Sequence, residues 1–372
     1  MSFLTILRRD LEQILFPDRD PHAIPSMDGP FSPNDRLDEA TPIGERIPGA
    51  DAIAEAADGA LFVSAGKSIW RLSGPDYANR AVLAEVDSDV GALACHPDGR
   101  VLAATAQGLT AIEPVTGDKI LLAEAAGEPL RCLTAVAVTA DGRIFVCDGS
   151  ARHQADSWCN DLMERNKLGR IIGCDAGLGK ARVLLRGLEY PAGLAIVSGQ
   201  LWFTESFAHR VSRADISPDG SLGAPRVVIR NMPGYPCRLS SNSGGGLWLS
   251  LFGVRTHLVE FILREDDFRR EMMRTIPRQY WVAPALATEG DCLEPMQFGG
   301  IKALGIQKPW APPRSYGLIA RLDRDGEPVE SLHSRVGGRH HGITAAIETV
   351  QGLVIVSKGS GRVLLLKRDT RT

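Results

Sequence analysis

The sequence lacks an excess of charge of either sign. It holds 42 lysines and arginines against 45 aspartates and glutamates, which leaves a net charge of −3. This balance argues against nucleic acid or an anionic membrane surface as the partner. No apolar run is long enough to cross a bilayer, so no transmembrane segment is predicted.

Cysteines are few and irregularly spaced. There are seven of them, and no CxxC pair occurs. An odd number without metal-binding spacing argues against a disulfide scaffold and against a zinc knuckle. We therefore expect reduced thiols in a cytoplasmic protein. The common catalytic signatures GxSxG and HExxH and a phosphate-cradling glycine loop are missing as well.

The N-terminus lacks the features of a secretory signal, because Arg8, Arg9, Asp10 and Glu12 interrupt its apolar stretch. Apolar residues recur there with helical spacing, which predicts a short amphipathic helix. We expect this helix to pack on the domain. A membrane-surface helix is the alternative, as is a homodimer formed through this helix or through a later insertion.

What the sequence does contain is a repeat. A turn ending in glycine, followed by a strand of alternating apolar residues, occurs six times, as in DGALFVS from Asp58 and DGRIFVCD from Asp141. Each copy follows a short apolar strand and precedes one or two more. Six units of four antiparallel strands predict an all-β fold, a six-bladed β-propeller.

The last unit lacks a fourth strand because the chain ends at Thr372. The segment ATPIGERI from Ala40 is predicted to supply that strand and to close the ring, which removes an unpaired edge. Since the repeat crosses every candidate linker, we predict one propeller domain over residues 40–372. Residues 1–39 are expected to form a helical segment and an extended arm.

Two long insertions interrupt the repeat, over residues 149–168 in the third blade and 253–315 in the fifth. The second contains the helical pattern LVEFILREDDFRREMMRTI. Both follow the second strand of their blade, so they share one face of the propeller. Loops of this length are commonly lids or binding walls, although decorative insertions or dimer contacts remain the alternatives.

The polarity of the strands predicts where a pocket lies. The inner strand of every blade starts on the face that carries the insertions. The predicted floor of the pocket is therefore the set of first residues of these strands: Asp51, Gly91, Thr134, Ala192, Cys237 and the run from Arg339 through His340 to His341. The predicted wall consists of residues near the ends of second strands: Asp148, Glu205, His209 and Lys358.

Several stretches resemble a known family, among them LTAVAVTADGRIFVCDGSAR, LWFTESFAHRVSRADI and MPGYPCRL…GGGLWLSL. They are similar to the strictosidine synthase-like proteins, six-bladed propellers related to the gluconolactonase and regucalcin lactonases. The resemblance runs from Ala50 to the C-terminus. It implies a small-molecule enzyme. Three residues match positions of the family's site: Asp148, Ser150 and Glu205.

The resemblance also implies a divalent cation such as Ca²⁺ on the propeller axis, with Asp51 as its acidic ligand. Thr134, Ala192 and Cys237 replace the other ligand positions, whereas hard cations need several oxygen ligands. The cofactor is therefore predicted to be none or unknown. The resemblance also implies, for the strictosidine branch, a glutamate near the start of the last inner strand. The corresponding position in this chain is Ala345, and the nearby Glu348 lies on a different step of the strand.

Among the candidates for chemistry, Asp51 is expected to be a general base whose pKa is raised by desolvation. Its alternative role is to cap inner-strand amides. His340 and His341 are adjacent on a strand, so at most one faces the pocket as a base or ligand. Cys237 is a candidate nucleophile if a base lowers its pKa, and otherwise a small buried hydrophobe.

The remaining candidates concern substrate binding. Glu205 and His209 are predicted to pair as acid and orienter, or else to form a structural hydrogen bond between blades. Arg238 and Arg255 suit a substrate carboxylate, with salt bridges to the helical insertion as the alternative. We expect Thr134, Asp148 and Ser150 to contact the substrate.

Three functions follow from these features. The first is a hydrolase of a lactone, ester or related bond, acting on a small molecule in a pocket on the axis. The second is a propeller that binds a ligand or a protein without catalysis. The third is a strictosidine synthase-like enzyme that forms a C–N or C–C bond on an amine.

Overall fold

The computed structural model of the protein describes residues 22–287, 302–303, 306–307 and 315–367. Six four-stranded antiparallel sheets form these residues into a ring, and the inner strands of successive blades contact one another all the way round. The predicted all-β, six-bladed propeller is confirmed. Near-continuous buried runs such as Val101–Thr105 and Gly352–Ser357 drive this arrangement, because each sheet packs both faces against its neighbours.

From the inner to the outer strand, the first three blades are ordered by sequence. Blade 1 contains β2 (Ala50–Glu55), β3 (Leu61–Ala65), β4 (Ser68–Ser73) and β5 (Asn79–Glu85). Blade 2 contains β6 (Val90–Cys95), β7 (Val101–Thr105), β8 (Gly108–Ile112) and β9 (Lys119–Leu122). A small hairpin, β10 (Glu124–Ala125) and β11 (Glu128–Pro129), precedes blade 3, which contains β12 (Leu133–Val138), β13 (Ile144–Asp148), β14 (Gly169–Cys174) and β15 (Arg182–Leu188).

The other three blades follow the same order. Blade 4 contains β16 (Pro191–Val197), β17 (Gln200–Glu205), β18 (Arg210–Asp215) and β19 (Arg226–Ile229). Blade 5 contains β20 (Gly234–Ser241), β21 (Leu247–Val254), β24 (Gly317–Leu322) and β25 (Pro328–Ser334), with the short hairpin β22 (Lys302–Ala303) and β23 (Ile306–Gln307) inside its insertion. Blade 6 contains β26 (Ile343–Thr349), β27 (Gly352–Ser357) and β28 (Arg362–Lys367).

The ring closes at blade 6 as predicted. The N-terminal strand β1 (Thr41–Pro42) pairs with β28, with Thr41 opposite Leu365 and Pro42 opposite Leu364. The two ends of the propeller thus share one sheet, and β28 gains a partner along its edge. Buried Leu61 and Val63 of blade 1 pack in one cluster with Val354 and Val356 of blade 6, so the closure is also apolar.

Among the described residues, the α-helices lie in the two insertions, and one short 3₁₀ helix, Pro75–Tyr77, lies in blade 1. Insertion 149–168 contains α1 (Trp158–Glu164), and insertion 253–315 contains α2 (His257–Arg264) and α3 (Asp266–Thr275). The predicted single helix of the second insertion is in fact two, because Glu265 leaves helical geometry at φ −88° and ψ 82°. Thr256 caps α2 by accepting a hydrogen bond from the amide of Val259.

The arm contains two short 3₁₀ helices, Gly29–Phe31 and Arg36–Glu39. The helix predicted before His22 lies outside the described residues, as do Cys292 and most of the Pro/Gly-rich part of the second insertion. Among the described cysteines, Cys95, Cys132, Cys147, Cys174 and Cys237 are free thiols. No helix in the described ranges is both long and apolar enough to span a bilayer.

One irregularity recurs in all six blades. The pairing between the inner strand and its neighbour shifts register near the start of β2, β6, β12, β16, β20 and β26. Such a β-bulge takes a residue out of the ladder and re-aims its side chain and its carbonyl group. The residues at these bulges are those that surround the propeller axis: Asp51, Gly91, Thr134, Ala192, Cys237, Arg238 and Thr344.

Candidate functional site

A pocket opens on the axis at the face that carries the insertions. It holds about 580 Å³ of space, counting the part open to solvent. Each of the six bulges contributes to its floor. The described residues that line it are Asp51, Gly91, Leu133, Thr134, Ala155, Trp158, Tyr190, Ala192, Cys237, Arg238, Phe252, Leu286, Thr344 and Lys358. Five of the predicted floor residues are therefore in place: Asp51, Gly91, Thr134, Ala192 and Cys237.

Three charged side chains meet on this floor. Arg238 Nη1 lies 2.9 Å from Asp51 Oδ1, and Lys358 Nζ donates a hydrogen bond to Asp51 Oδ2. The side chains of Asp51 and Arg238 are 13% and 15% exposed, whereas that of Lys358 is 38% exposed. One carboxylate thus holds two cations, of which only the lysine is substantially open to the pocket.

The Arg238 guanidinium is fixed by backbone as well as by Asp51. Its Nη1 donates to the carbonyls of Asp51 (3.0 Å) and Thr344 (3.1 Å), and its Nη2 donates to the carbonyl of Gly91. These three carbonyls belong to bulges in blades 1, 6 and 2, so they are free of the ladder. The planar fork of the guanidinium suits such convergent acceptors, and it therefore ties the inner strands of four blades together.

The pKa of Asp51 is lowered, whereas desolvation was expected to raise it. Burial alone raises it, but the nearby Lys358 and Arg238 together outweigh burial and lower the pKa below its ordinary value. Asp51 is therefore a stable carboxylate at neutral pH. A raised pKa, expected from desolvation, is wrong because the sequence did not show that two cations would share this carboxylate.

Cys237 lines the pocket with its side chain almost fully buried. Burial raises the pKa of its thiol, and the positive charge of Arg238 offsets this only in part. The thiol is therefore protonated at neutral pH, which suits a small hydrophobe and not a nucleophile. No histidine stands among the described residues of the pocket lining to serve as its base.

Both candidate histidines lie away from this lining. His341 Nδ1 is 2.8 Å from Ser315 Oγ, and its Nε2 is 2.9 Å from the carbonyl oxygen of Arg335. His340 is buried, and its amide donates to Ser334 Oγ. Blade 6 contributes Thr344, the second residue of β26, to the pocket floor in place of either histidine.

Glu205 and His209 are both buried, but they do not pair with each other. Glu205 accepts hydrogen bonds from Arg210 Nε (2.6 Å) and Nη2 (2.8 Å). His209 Nδ1 lies 3.0 Å from the carbonyl oxygen of Gly234 and its Nε2 3.7 Å from Glu260 Oε1. The contacts of Glu205 and of His209 are structural, and neither residue lines the axial pocket.

Three further candidates also make structural contacts outside the lining. Asp148 accepts hydrogen bonds from Arg170 and from the amide of Cys132 (2.8 Å), while Ser150 donates to Asp161 Oδ1 of α1 (2.6 Å). Arg255 donates to Glu260 Oε1 of α2 at 2.7 Å, which is the salt bridge to the helical insertion foreseen as its alternative role.

Two features of the pocket did not receive a role from the sequence. Lys358 was placed in the wall by strand polarity, but its contact with Asp51 depends on how blades 6 and 1 meet across the closure. The aromatic wall is the other feature: Trp158 comes from the first insertion and lies edge-on to Phe252, with ring centroids 5.2 Å apart. Only the folded insertion shows that Trp158 returns to the axis.

A larger cavity lies between the two insertions and leads to the axial pocket. It holds about 1610 Å³, counting the part open to solvent, and shares Trp158, Leu286 and Lys358 with the axial pocket. Arg278 Nη1, from the second insertion, donates to Ser157 Oγ of the first at 3.2 Å. Described residues of both insertions thus line this cavity together.

The floor does not fit the divalent cation that the family resemblance implies. Among the described residues there is no group of three His, Cys, Asp or Glu side chains that would hold a metal ion. Asp51 is the one acidic residue among the described lining residues, and two protein cations already occupy both of its oxygens. A metal ion at Asp51 would have to displace the Arg238 guanidinium from its carbonyl oxygens.

The fold and the pocket define a class, that of six-bladed propellers with a pocket on the axis. Residues 53–273, more than half of the chain, match the SMP-30/Gluconolactonase/LRE-like region. The chain belongs to this family, which supports a lactonase-type or related function in general. It is also similar to a strictosidine synthase-like protein 10 of Arabidopsis thaliana, at 28% identity over 45% of either chain.

Other comparisons agree. An adipocyte plasma membrane-associated protein of Danio rerio is 24% identical over 72% of either chain. Among solved structures, a gluconolactonase from Xanthomonas campestris superposes with a TM-score of 0.57 at 14% identity, covering 88% of each chain. A calcium-binding regucalcin from Agrobacterium tumefaciens gives a TM-score of 0.58 at 12% identity, covering 87% of this chain and 92% of its own. At these identities the structures show a shared fold.

Proposed function

We propose that the protein hydrolyses a carboxylic ester or lactone in the axial pocket without a divalent cation. The observation that carries this proposal is the pair of cations on the pocket floor, fixed by a single carboxylate and open to the pocket at Lys358. The resemblance to the lactonases implies a metal ion that would supply positive charge at this point. Here Arg238 and Lys358 supply it.

The reaction would divide among these residues as follows. Lys358 donates a hydrogen bond to the carbonyl oxygen of the substrate, and the buried Arg238 adds a fixed positive field. Water attacks the carbonyl carbon, and Asp51 accepts the proton that the water loses. The C–O bond then breaks, and the leaving alkoxide receives that proton, so that an acid and an alcohol are released.

The lowered pKa of Asp51 sets a limit on this chemistry, because a weakly basic carboxylate removes a proton slowly. Substrates with a good leaving group or with ring strain are therefore expected, such as aryl esters and small lactones. Preorganised positive charge, which stabilises the oxyanion, would contribute most of the rate enhancement.

The test is the hydrolysis of a panel of aryl esters and lactones by the intact protein, with and without a chelator. We expect turnover to be insensitive to the chelator, and Lys358→Met to lower kcat by about 10²–10³-fold. Lys119→Met is the matched control, since Lys119 is an exposed lysine on an outer strand whose Nζ donates to the carbonyl of Glu85. Loss of turnover in chelator, restored by a divalent cation, would contradict the proposal.

A ligand-binding propeller without catalysis is the second candidate. It is favoured by the double ion pairing of Asp51 and by the lack of a histidine among the described residues of the lining. If no member of the panel is hydrolysed while small ligands still bind, this second function replaces the first. The bond-forming function has no such support, because Glu348 accepts hydrogen bonds from Ser243 Oγ (2.6 Å) and Trp248 Nε1 (3.0 Å) instead of lining the pocket.

A further inference from the structure

We propose that the axial pocket selects apolar monocarboxylic acids, so that its substrates are esters or lactones of such acids and the free acid binds to the same floor. The substrate part of this inference rests on the proposed hydrolysis. The binding part does not, because an acid binds whether or not the protein turns over an ester.

The charge of the floor is the first argument. Among the described lining residues Arg238 and Lys358 are cationic and Asp51 alone is acidic. The floor therefore retains one positive charge in a pocket that is otherwise mostly apolar. A single carboxylate would neutralise that charge, and a charge-assisted hydrogen bond from an ammonium group to a carboxylate is among the stronger ones.

Lys358 is the residue that can reach a ligand. Its ammonium carries three N–H donors, and among the described residues its hydrogen-bond partner is Asp51. Arg238, in contrast, already uses both terminal nitrogens on carbonyls and on Asp51. We therefore place the ligand's carboxylate on Lys358, with Arg238 as a fixed charge behind it.

The wall of the pocket is the second argument. Trp158, Tyr190, Phe252, Leu133 and Leu286 supply apolar surface around the charged floor. This wall would take an aromatic ring or an alkyl chain, because burial of apolar surface contributes most of the affinity of small ligands.

The same wall disfavours polyhydroxylated ligands such as sugar acids. The two threonine hydroxyl groups of the described floor already donate within the protein, since Thr134 Oγ1 donates to the carbonyl of Pro191 (2.6 Å) and Thr344 Oγ1 to that of Asp51 (2.6 Å). Several hydroxyl groups of a sugar acid would therefore lose their water and meet fewer partners than in solution, which costs binding free energy.

The size of an accepted acid is set by the outer cavity. That cavity joins the axial pocket at Trp158, Leu286 and Lys358. An acid anchored on Lys358 therefore lies at the junction, and its apolar part can extend along the aromatic wall in either direction. Acids larger than a single ring are compatible with this geometry.

The experiment is calorimetric titration of the intact protein at neutral pH with three probes. They are 3-phenylpropionate, the uncharged 3-phenylpropan-1-ol of the same shape, and the polar anion gluconate. We expect 3-phenylpropionate to bind about 10–100-fold more tightly than the alcohol, as a charged hydrogen bond requires, and more tightly than gluconate. Equal binding of acid and alcohol, or tighter binding of gluconate, would overturn the inference.

Variants locate the contact. Lys358→Met should remove most of the preference for the acid over the alcohol, while Lys119→Met should keep it. Trp158→Leu should weaken the acid and the alcohol alike. An acid preference that survives Lys358→Met would overturn the assignment. Failure of the proposed function appears differently, as selective acid binding by a protein that hydrolyses none of the esters tested.

Discussion

Two buried ion clusters of the molecule look alike by charge and differ in surroundings. In blade 3, Asp148 and Arg170 are 0% and 2% exposed. Both Arg170 Nε (2.9 Å) and Nη2 (2.8 Å) donate to the same oxygen of Asp148. On the axis, Asp51 holds Arg238 and Lys358 at the floor of a cavity. The Asp148–Arg170 pair is buried within its blade, with Glu128 as a more exposed outer partner, whereas the second cluster faces the pocket.

This difference shows which property marks a site. Buried charge and a family match pointed equally to Asp148 and to Asp51. Only Asp51 borders the pocket, and only its cluster carries more positive than negative charge. Asp148 fills its second oxygen with the amide of Cys132, so no donor or acceptor of that cluster is directed at a ligand. The blade 3 cluster is therefore assigned to stability and the axial cluster to binding and chemistry.

The largest expected effect concerns the Asp148–Arg170 pair of blade 3, which we assign to stability. Arg170→Met should lower the free energy of unfolding by about 3–5 kcal/mol, because it leaves Asp148 buried without its cation. Turnover per folded molecule should not change. Denaturant unfolding, followed by activity measured on the folded fraction, checks both statements.

A neighbouring arginine provides the control for this variant. Arg186 lies opposite Arg170 in the register of β14 and β15, is about half exposed, and shares Glu128 as a partner. Arg186→Met should cost only about 0–1 kcal/mol, as exposed ion pairs do. Equal losses in the two variants would mean that burial does not separate these clusters.

The fold was open to prediction because a propeller repeats its signal. Six copies of one strand pattern fix the blade count, and strand polarity then fixes which face collects the starts of the inner strands. That reasoning placed Asp51, Thr134 and Cys237 on the pocket floor from sequence alone. It succeeded because each conclusion needed only the order of strands along the chain.

The details of the site depend on contacts between distant parts of the chain, which no local pattern reveals. Lys358 meets Asp51 because blades 6 and 1 adjoin, and Arg238 reaches carbonyls freed by bulges in three other blades. The placement of His340 or His341 on the pocket floor depended on a smaller detail. His340 and His341 precede β26, so a shift of a few residues puts Thr344 at the axis in their place.

A second prediction uses pH to separate His209, which lies outside the pocket lining, from the ion cluster of the floor. Burial, with the positive charge of Arg255, lowers the pKa of His209 to about 3, whereas the unfolded chain has a pKa near 6.5. The unfolded state thus binds the extra proton, and stability that is complete above pH 6.5 is lost as the pH falls toward 3. At pH 5 the expected loss from this histidine is about 2 kcal/mol.

His209→Asn should make unfolding less sensitive to pH between 7 and 5, and asparagine tolerates the left-handed backbone at this position (φ 50°). His333, whose pKa burial lowers to about 4, keeps its own contribution in both proteins. Because the lowered pKa of Asp51 leaves the axial carboxylate ionised over this range, acid binding per folded molecule should stay constant once protonation of the free acid itself is corrected for. Unchanged pH sensitivity in the variant would refute the buried neutral state of His209.

The smallest expected effect concerns Cys237, which stands next to Arg238 and faces the same pocket. A nucleophilic thiol would need a lowered pKa, but burial raises it. Cys237→Ala should therefore change kcat by no more than about two-fold, since removal of one thiol group alters little in the field of the two cations. A loss of 100-fold or more, together with an acyl group trapped on Cys237 in the parent protein, would move the chemistry from the ion cluster to the thiol. A near-silent Cys237→Ala together with a large loss in Lys358→Met would locate the chemistry in the pair of cations, because both side chains line the same floor and only the lysine is charged.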